Sequence, residues 1–175
     1  MFKSLFKAKP VHREALDLYV LAVEQARQPT FYTQMGVADR IDARFELYTL
    51  HVLLLYVRLR HDGPRGAELA QAMFDHYVSA LDNALRELGV GDVSVGKKMR
   101  KLGEALYGRM ATYEKALTDS DAEALKAAIA RNVYESEDVQ LGEALAKYTL
   151  DSHVSLKNQT IAEIERRPNW AQISE

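Results

Sequence analysis

The chain has 175 residues, of which 47% are hydrophobic and 27% are charged, and its formal net charge at pH 7 is -2. That length suits one domain with a proper core, and the near balance of charge argues against a dedicated nucleic-acid binder, so we expect no DNA partner. The chain contains no cysteine, which excludes disulfides, thiolate catalysis and cysteine-based zinc sites.

Residues 1–10 form a basic N-terminal segment with three lysines, in which Phe2, Leu5 and Phe6 share one side of a helical wheel. This pattern is typical either of a frayed terminus or of a segment that rests on an anionic membrane surface. The segment has no apolar stretch of signal-peptide length. The longest apolar run, residues 52–57, is also too short to span a membrane.

Helical periodicity predicts about six helices. The first is expected from Val11 to Gln28, where Pro29 ends it. The second begins near Asp39 and has apolar residues on all sides, so we predict that it is central and buried. Its main apolar stripe comprises Ile41, Phe45, Tyr48, Val52, Leu55 and Leu59.

The later helices are separated by clear turn signals. A third helix follows the turn at residues 62–64, and a fourth follows a glycine-rich loop and reaches about Leu117. The pair Ser120 and Glu123 has the spacing of a capping box and should start a fifth helix, while a sixth runs from Glu137 to about Leu156. We therefore predict a single compact all-α domain over residues 11–167, followed by a C-terminal tail at residues 168–175.

A phosphate-binding loop is suggested by the spacing of Gly91, Gly96 and Lys97. That motif needs a Ser or Thr after the lysine and a buried strand before the loop. Lys98 occupies the first position and a predicted helix the second, so the sequence does not support a nucleotide site.

Catalytic and metal-binding patterns are not found in the sequence. The five histidines are scattered, with no H-E-x-x-H spacing, no Glu-x-x-His pairs and no G-x-S-x-G elbow. His51 lies in the most apolar helix, which favours a core histidine with a satisfied hydrogen bond over a ligand or base. We therefore expect a non-enzymatic protein without catalytic residues, metal or cofactor.

Four cations, Lys97, Lys98, Arg100 and Lys101, occupy the first turns of the fourth predicted helix. A helix N-terminus carries partial positive charge, so this placement is unfavourable by a few tenths of a kcal/mol per cation. The cluster indicates either a binding surface for an anionic or polar partner or a solvated face whose cost is tolerated.

Small residues continue the same side of that helix. Ala105, Gly108 and Thr112 follow Lys97 and Lys101 at helical spacing. Small side chains let another backbone come close, so this side predicts either a shallow groove with a charged rim or a face that another helix of the domain fills.

Two blocks of the sequence resemble the ubiquinol–cytochrome c chaperone family. The first block reads Phe31-Tyr32-x-x-x-Gly36-Val37-x-Asp39 and continues through Asp42-x-Arg44-Phe45-Glu46-Leu47 to Leu50-His51-x-x-Leu54-Leu55. The second reads Glu87-Leu88-Gly89-Val90-Gly91-Asp92 and continues through Val95-Gly96-Lys97-Lys98-Met99 to Leu106-Tyr107-Gly108-Arg109-x-x-x-Tyr113. The resemblance covers about residues 31–117.

This resemblance implies a helical assembly factor. In mitochondria the family's chaperone acts near the ribosomal exit tunnel and, with a small partner protein, binds newly made cytochrome b for the cytochrome bc1 complex. The absence of an Arg- and Ser-rich presequence indicates a bacterial relative. We therefore expect cytochrome b as the client, the ribosome or a small co-chaperone as further partners, and a cytoplasmic location at the inner face of the inner membrane, with peripheral contact to its surface.

The expected binding residues combine two groups. The first group is Lys97, Lys98, Arg100, Lys101, Gly108 and Arg109, whose cations suit acidic client loops, ribosomal RNA phosphates or lipid headgroups. Phe31 and Tyr32 are candidate exposed aromatic anchors, with burial between the first two helices as their alternative role. The alternative function is a helical small-molecule or lipid binder, for isoprenoid or haem, with a pocket between the second and fourth helices.

Overall fold

The structure is a computed structural model that describes residues 10–87, 89 and 91–173. Apart from Pro10, the predicted basic N-terminal segment lies outside the described residues, as do the last two residues of the predicted tail. Eight α-helices and no β-strand occur in the described ranges, which confirms the all-α prediction. The helices are α1 (Pro10–Ala26), α2 (Pro29–Thr33), α3 (Ile41–Leu59), α4 (Gly63–Glu87), α5 (Asp92–Asp119), α6 (Ala122–Val133), α7 (Glu143–Lys157) and α8 (Ile161–Arg166).

Helix α3 is the centre of the fold, as its apolar composition predicted. Twelve of its nineteen residues are buried, and they lie on all sides of the helix. It packs against α1, α4, α5, α6 and α7, so the other long helices form a layer around it. Burial of this kind requires that the polar side chains of α3 find partners inside the protein.

His51 of α3 satisfies that requirement through a chain of buried hydrogen bonds. Its Nδ1 lies 2.7 Å from the Leu47 carbonyl oxygen, which can only accept, so Nδ1 carries the proton. Its Nε2 then accepts from the Tyr148 hydroxyl at 2.9 Å, and that hydroxyl accepts from Gln25 Nε2 at 3.1 Å. The expectation of a satisfied core histidine is confirmed.

The predicted tail contributes to this part of the core. The Trp170 ring meets the His51 ring edge-on, with 5.1 Å between centroids. The Ala171 amide donates to Ser152 Oγ of α7 at 3.1 Å. Residues 168–173 are therefore held against the helices that contribute Ser152 and His51.

The start of the fifth predicted helix differs from the capping-box expectation. Ser120 is left-handed, with φ of 54°, and ends α5 through an amide that donates to carbonyl oxygens of Ala116 and Leu117. Asp121 is the N-cap of α6 instead, and its side chain accepts from the Ala124 amide. The complete capping box joins Thr160 and Glu163 at the start of α8, a helix that the periodicity analysis missed.

Two further boundaries differ from prediction for local reasons. Pro29 does not only follow the first helix but also begins α2, where its fixed φ suits the first turn. The sixth predicted helix begins at Glu143 rather than Glu137, because a short 3-10 turn at Val139–Gly142 precedes it. Asp138 caps that turn by accepting from the Gln140 amide.

Gly142 is needed where this turn meets α6. A Cβ at Gly142 would collide with the Lys126 carbonyl oxygen and lie 3.0 Å from the Ala130 nitrogen, and both are backbone atoms that cannot move aside. We expect Gly142→Ala to lower the free energy of unfolding by about 2 kcal/mol through this overlap. Gly108→Ala is the matched control, because a Cβ there meets no described atom within 4 Å. It should raise stability by up to about 1 kcal/mol through helix propensity. Urea denaturation of both variants measures the two effects, and equal changes would contradict the assigned contact.

Burial also makes the stability of the fold depend on pH through His51. Desolvation lowers the pKa of His51 from 6.5 to about 4, against a smaller upward effect of its bond to Leu47. As the pH falls, the unfolded chain therefore takes up a proton before the folded chain does. The free energy of unfolding is therefore highest above about pH 6.5. It falls by up to about 3 kcal/mol as the pH is lowered towards 4. Between about pH 4 and 6.5, the free energy of unfolding of His51→Gln should depend less steeply on pH than that of the parent protein. An unchanged pH dependence would contradict a buried neutral histidine.

Candidate functional site

Helices α4 and α5 extend beyond the core as an antiparallel pair. No residue of α4 after Tyr77 is buried, and among the described side chains of α5 before Leu106 only Val95 is. We call the described residues between 78 and 105 the arm. Its apolar side chains Leu81, Leu85, Met99 and Leu102 are only partly buried. The arm therefore retains apolar surface that folding has not covered.

The cation cluster lies on the α5 half of the arm. Lys97, Lys98, Arg100 and Lys101 are all exposed, and none of them forms an ion pair within the described residues. Elsewhere most arginines pair with carboxylates, for example Arg65 with Glu165 at 2.7 Å. The first turns of α5 therefore carry four adjacent or nearly adjacent cations that no ion pair among the described residues compensates.

A groove opens between α4 and α5 where the arm joins the core. Its volume is about 410 Å³, and its lining includes Phe74, Val78, Tyr107, Met110 and Tyr56 of α3. Gln71, Asp75 and Ser79 line it as well, so the groove is apolar only in part. Tyr107 is 67% exposed. Sequence reasoning did not select Tyr107, although its position seven residues after Arg100 places both on one side of α5.

The small-residue side of α5 is open. Gly108 is exposed, and no described atom would lie within 4 Å of a Cβ there, so another helix does not fill this side. The groove, however, lies beside it, and Tyr107 rather than Gly108 lines it. The groove and the small-residue side therefore lie on different sides of α5.

Arg109 is not available to a partner in the way that the sequence analysis expected. It binds Glu46 of α3 in a two-point ion pair, with Nε to Oε2 at 2.8 Å and Nη2 to Oε1 at 2.5 Å. The Glu46 side chain is 8% exposed, and its burial raises its pKa while the bonds from Arg109 oppose that rise. Arg109 therefore joins α5 to the central helix at the base of the arm.

Phe31 was expected as an exposed anchor, and that expectation is wrong. Its ring is fully buried and packs edge-on against His51 and Tyr148, with centroid distances of 5.3 and 5.1 Å. Tyr32 is partly buried, and its hydroxyl donates to the Ala26 carbonyl at 3.2 Å. The alternative role as a buried contact is confirmed for Phe31.

Other kinds of site find little support in the part of the chain that the structure describes. No group of three or more potential ligand side chains there is placed to hold a metal ion. None of the helices in those ranges has both the length and the hydrophobicity needed to cross a bilayer. A surface cavity of about 700 Å³ is lined largely by polar residues, including Gln25, Gln28 and Asn169, and it lies beside α1 and the tail. The sequence analysis placed a pocket for an isoprenoid or haem elsewhere, between α3 and α5.

Comparisons with known proteins agree on one family. A family model described as ubiquinol-cytochrome C chaperone matches residues 33–169. The crystal structure of a Cbp3 homolog from Brucella abortus is similar, with a TM-score of 0.83 and 34% sequence identity over 92% of this chain and 90% of that chain.

Two vertebrate proteins are more distant relatives. The chain is 24% identical over 136 residues to ubiquinol-cytochrome-c reductase complex assembly factor 1 of Xenopus laevis, a match covering 77% of this chain and 68% of that protein. The Mus musculus protein of the same name matches at the same identity, but the matched part is only 46% of its length. The chain thus spans less than half of the mouse relative.

The Glu46–Arg109 pair leads to a testable stability effect. Arg109→Met leaves a buried carboxylate without its cation, which should cost about 3 kcal/mol at pH 8. A carboxyl whose pKa is raised by folding penalises the folded state at high pH, and the penalty disappears as the pH falls and the carboxyl is protonated. The loss should therefore be smaller at pH 5, and the double variant Glu46→Gln/Arg109→Met should show no such dependence. Equal stability of Arg109→Met and the parent at pH 8 would contradict this role.

Proposed function

Since the chain belongs to the ubiquinol–cytochrome c chaperone family, we propose that it is a non-catalytic assembly chaperone for the ubiquinol–cytochrome c reductase complex, and that it binds newly made cytochrome b. The family match extends over residues 33–169 and therefore includes the whole arm. The names of the two vertebrate relatives, both assembly factors of that complex, support the same assignment.

The arm is the observation that carries this proposal. A membrane protein exposes apolar segments before it is assembled, and a chaperone must offer a surface that covers them without enclosing them permanently. The partly buried Leu81, Leu85, Met99 and Leu102 and the groove beside Tyr107 offer such a surface. The unpaired cations next to it add long-range attraction for the polar, anionic flanks of such a segment.

We propose the cytoplasmic face of a bacterial inner membrane as the place of action. Cytochrome b segments leave the ribosome there, and the cations of the arm would be attracted to anionic headgroups. A ribosome contact, a small co-chaperone and peripheral membrane contact are compatible with this placement. The exposed cations Lys97, Lys98, Arg100 and Lys101 suit each of these three partners equally. Identifying what binds to the arm in cells is needed to distinguish the three partners.

The direct test is photo-crosslinking in cells, with a photoreactive residue in place of Tyr107 or Lys98. Val154 of α7, which is 59% exposed, is the control position outside the arm. Mass spectrometry should identify cytochrome b at the two arm positions and not at Val154. Efficient crosslinking without any subunit of the complex would contradict the proposed function.

Charge reversal gives the matched quantitative test. Lys97→Glu with Lys98→Glu should reduce capture of cytochrome b about tenfold, because surface charge pairs contribute up to about 1 kcal/mol each. The melting temperature should stay nearly unchanged, since neither lysine has a partner in the described residues. Lys147→Glu with Lys157→Glu on α7 makes the same change of charge and should leave capture intact. A matching loss of stability would mean that the cluster is structural.

A further inference from the structure

We propose that the groove between α4 and α5 receives an apolar α-helix that carries acidic residues at one end, with the acidic end lying towards residues 97–101. This inference rests on the proposed function and deepens it by defining the chemistry of the bound segment. Three observations support it: the apolar side chains at the core end of the groove, the continuation of the groove along the arm, and the concentration of exposed cations near the other end.

The core end of the groove is built on three helices and is apolar in part, with Gln71, Asp75 and Ser79 also in its lining. Phe74 and Val78 contribute from α4, Tyr107 and Met110 from α5, and Tyr56 from α3. The Tyr56 and Phe74 rings contact each other at 5.5 Å between centroids, and Phe74 contacts the buried Tyr77 at 6.1 Å. This end is therefore preorganised by the core and can hold a bulky apolar side chain at low entropic cost.

The groove side of α5 continues along the arm without obstruction. Met110, Tyr107, Gly103, Arg100 and Gly96 follow one another at spacings of three or four residues and so share one side of the helix. A Cβ at Gly103 or Gly96 would meet no described atom within 4 Å. A second helix could therefore lie along about 15–20 Å of α5, since each residue adds about 1.5 Å.

Charge gives this path a direction. The end near residues 97–101 has four exposed cations without ion-pair partners in the described residues. Arg100 lies on the groove side of α5, whereas Lys97, Lys98 and Lys101 lie on other sides of the helix and attract acidic groups from farther away. Glu104 follows them on α5 and offsets part of their charge. The core end has Asp75, which lines the groove and accepts a hydrogen bond from Gln71 Nε2 at 2.8 Å. Between them, Asp82 is already paired with Arg86 at 2.7 Å. Acidic residues of an occupant are therefore attracted to the far end and repelled at the core end.

A helix fits these features better than the other anionic partners do. A lipid bilayer presents a broad surface and cannot enter a groove that three helices line. RNA would satisfy the cations but would leave Phe74, Val78 and Met110 uncovered by apolar atoms. An amphipathic or apolar helix in a groove buries such side chains through residues spaced three and four apart.

The test uses two synthetic helical peptides of about 20 residues, identical except for two glutamates or two lysines at one end of a leucine stripe. We expect the glutamate peptide to bind about tenfold more tightly in fluorescence anisotropy at low salt. Arg100→Glu with Lys101→Glu should reverse this preference, whereas Lys147→Glu with Lys157→Glu should preserve it. Tyr107→Ser should weaken both peptides. A spin label on the acidic end should broaden amide signals of residues 97–101 more than those of residues 107–110.

The failure of this inference is distinguishable from that of the proposed function. Equal binding of the two peptides, or an unchanged preference after charge reversal, would overturn the inference even if cytochrome b still crosslinks to the arm. Arg100-dependent binding to phosphatidylglycerol vesicles, without binding of either peptide, would replace the helix by a membrane surface and would also overturn it. Peptide binding with no capture of the complex's subunits would leave the groove chemistry intact and contradict the function.

Discussion

The burial of twelve of the nineteen residues of α3 is the constraint on which the rest of the structure depends. The buried polar side chains of such a helix need partners, and Glu46, Thr49 and His51 each find one on a neighbouring helix. Glu46 holds Arg109 of α5, and His51 holds Tyr148 of α7. Tyr77 of α4 donates to Thr49, whose hydroxyl already donates to a backbone carbonyl of its own helix. Three polar contacts thus orient three surrounding helices, and the apolar contacts fill the space between them.

The same helix explains how much could be predicted from the sequence. Apolar residues on every side of residues 41–59 predict a central helix directly, and a histidine among them predicts an internal hydrogen bond. Local chemistry was less decisive at Ser120 and Asp121, where two adjacent residues could both cap a helix and only the backbone conformation separates them. Periodicity also cannot reveal a helix as short as α8, which spans fewer than two turns.

The candidate site was predicted less completely than the fold. The exposure of some of its residues follows from the local sequence, whereas the contacts of others depend on residues that are distant in the chain. The exposure of Lys97 and Lys98 follows from composition, since a helix has no local place to bury two adjacent lysines. Arg109 and Phe31 have partners that are distant in sequence, Glu46 and Tyr148, and a single sequence has no signal for such pairs. Tyr107 was overlooked for a related reason, because its environment depends on how α4 packs beside it.

The uneven burial of α4 and α5 also divides the molecule into parts of unequal local stability. The arm contributes few buried side chains. Helix α5 also contains three glycines, Gly96, Gly103 and Gly108, and each of them weakens helix formation. From this low burial we expect the arm to open and close as a unit of its own while the body around α3 stays folded. A bound helix would supply the burial that the arm lacks, so occupancy and local order become thermodynamically linked. Binding of a client would then slow amide hydrogen exchange in the arm without any change in the shape of the core.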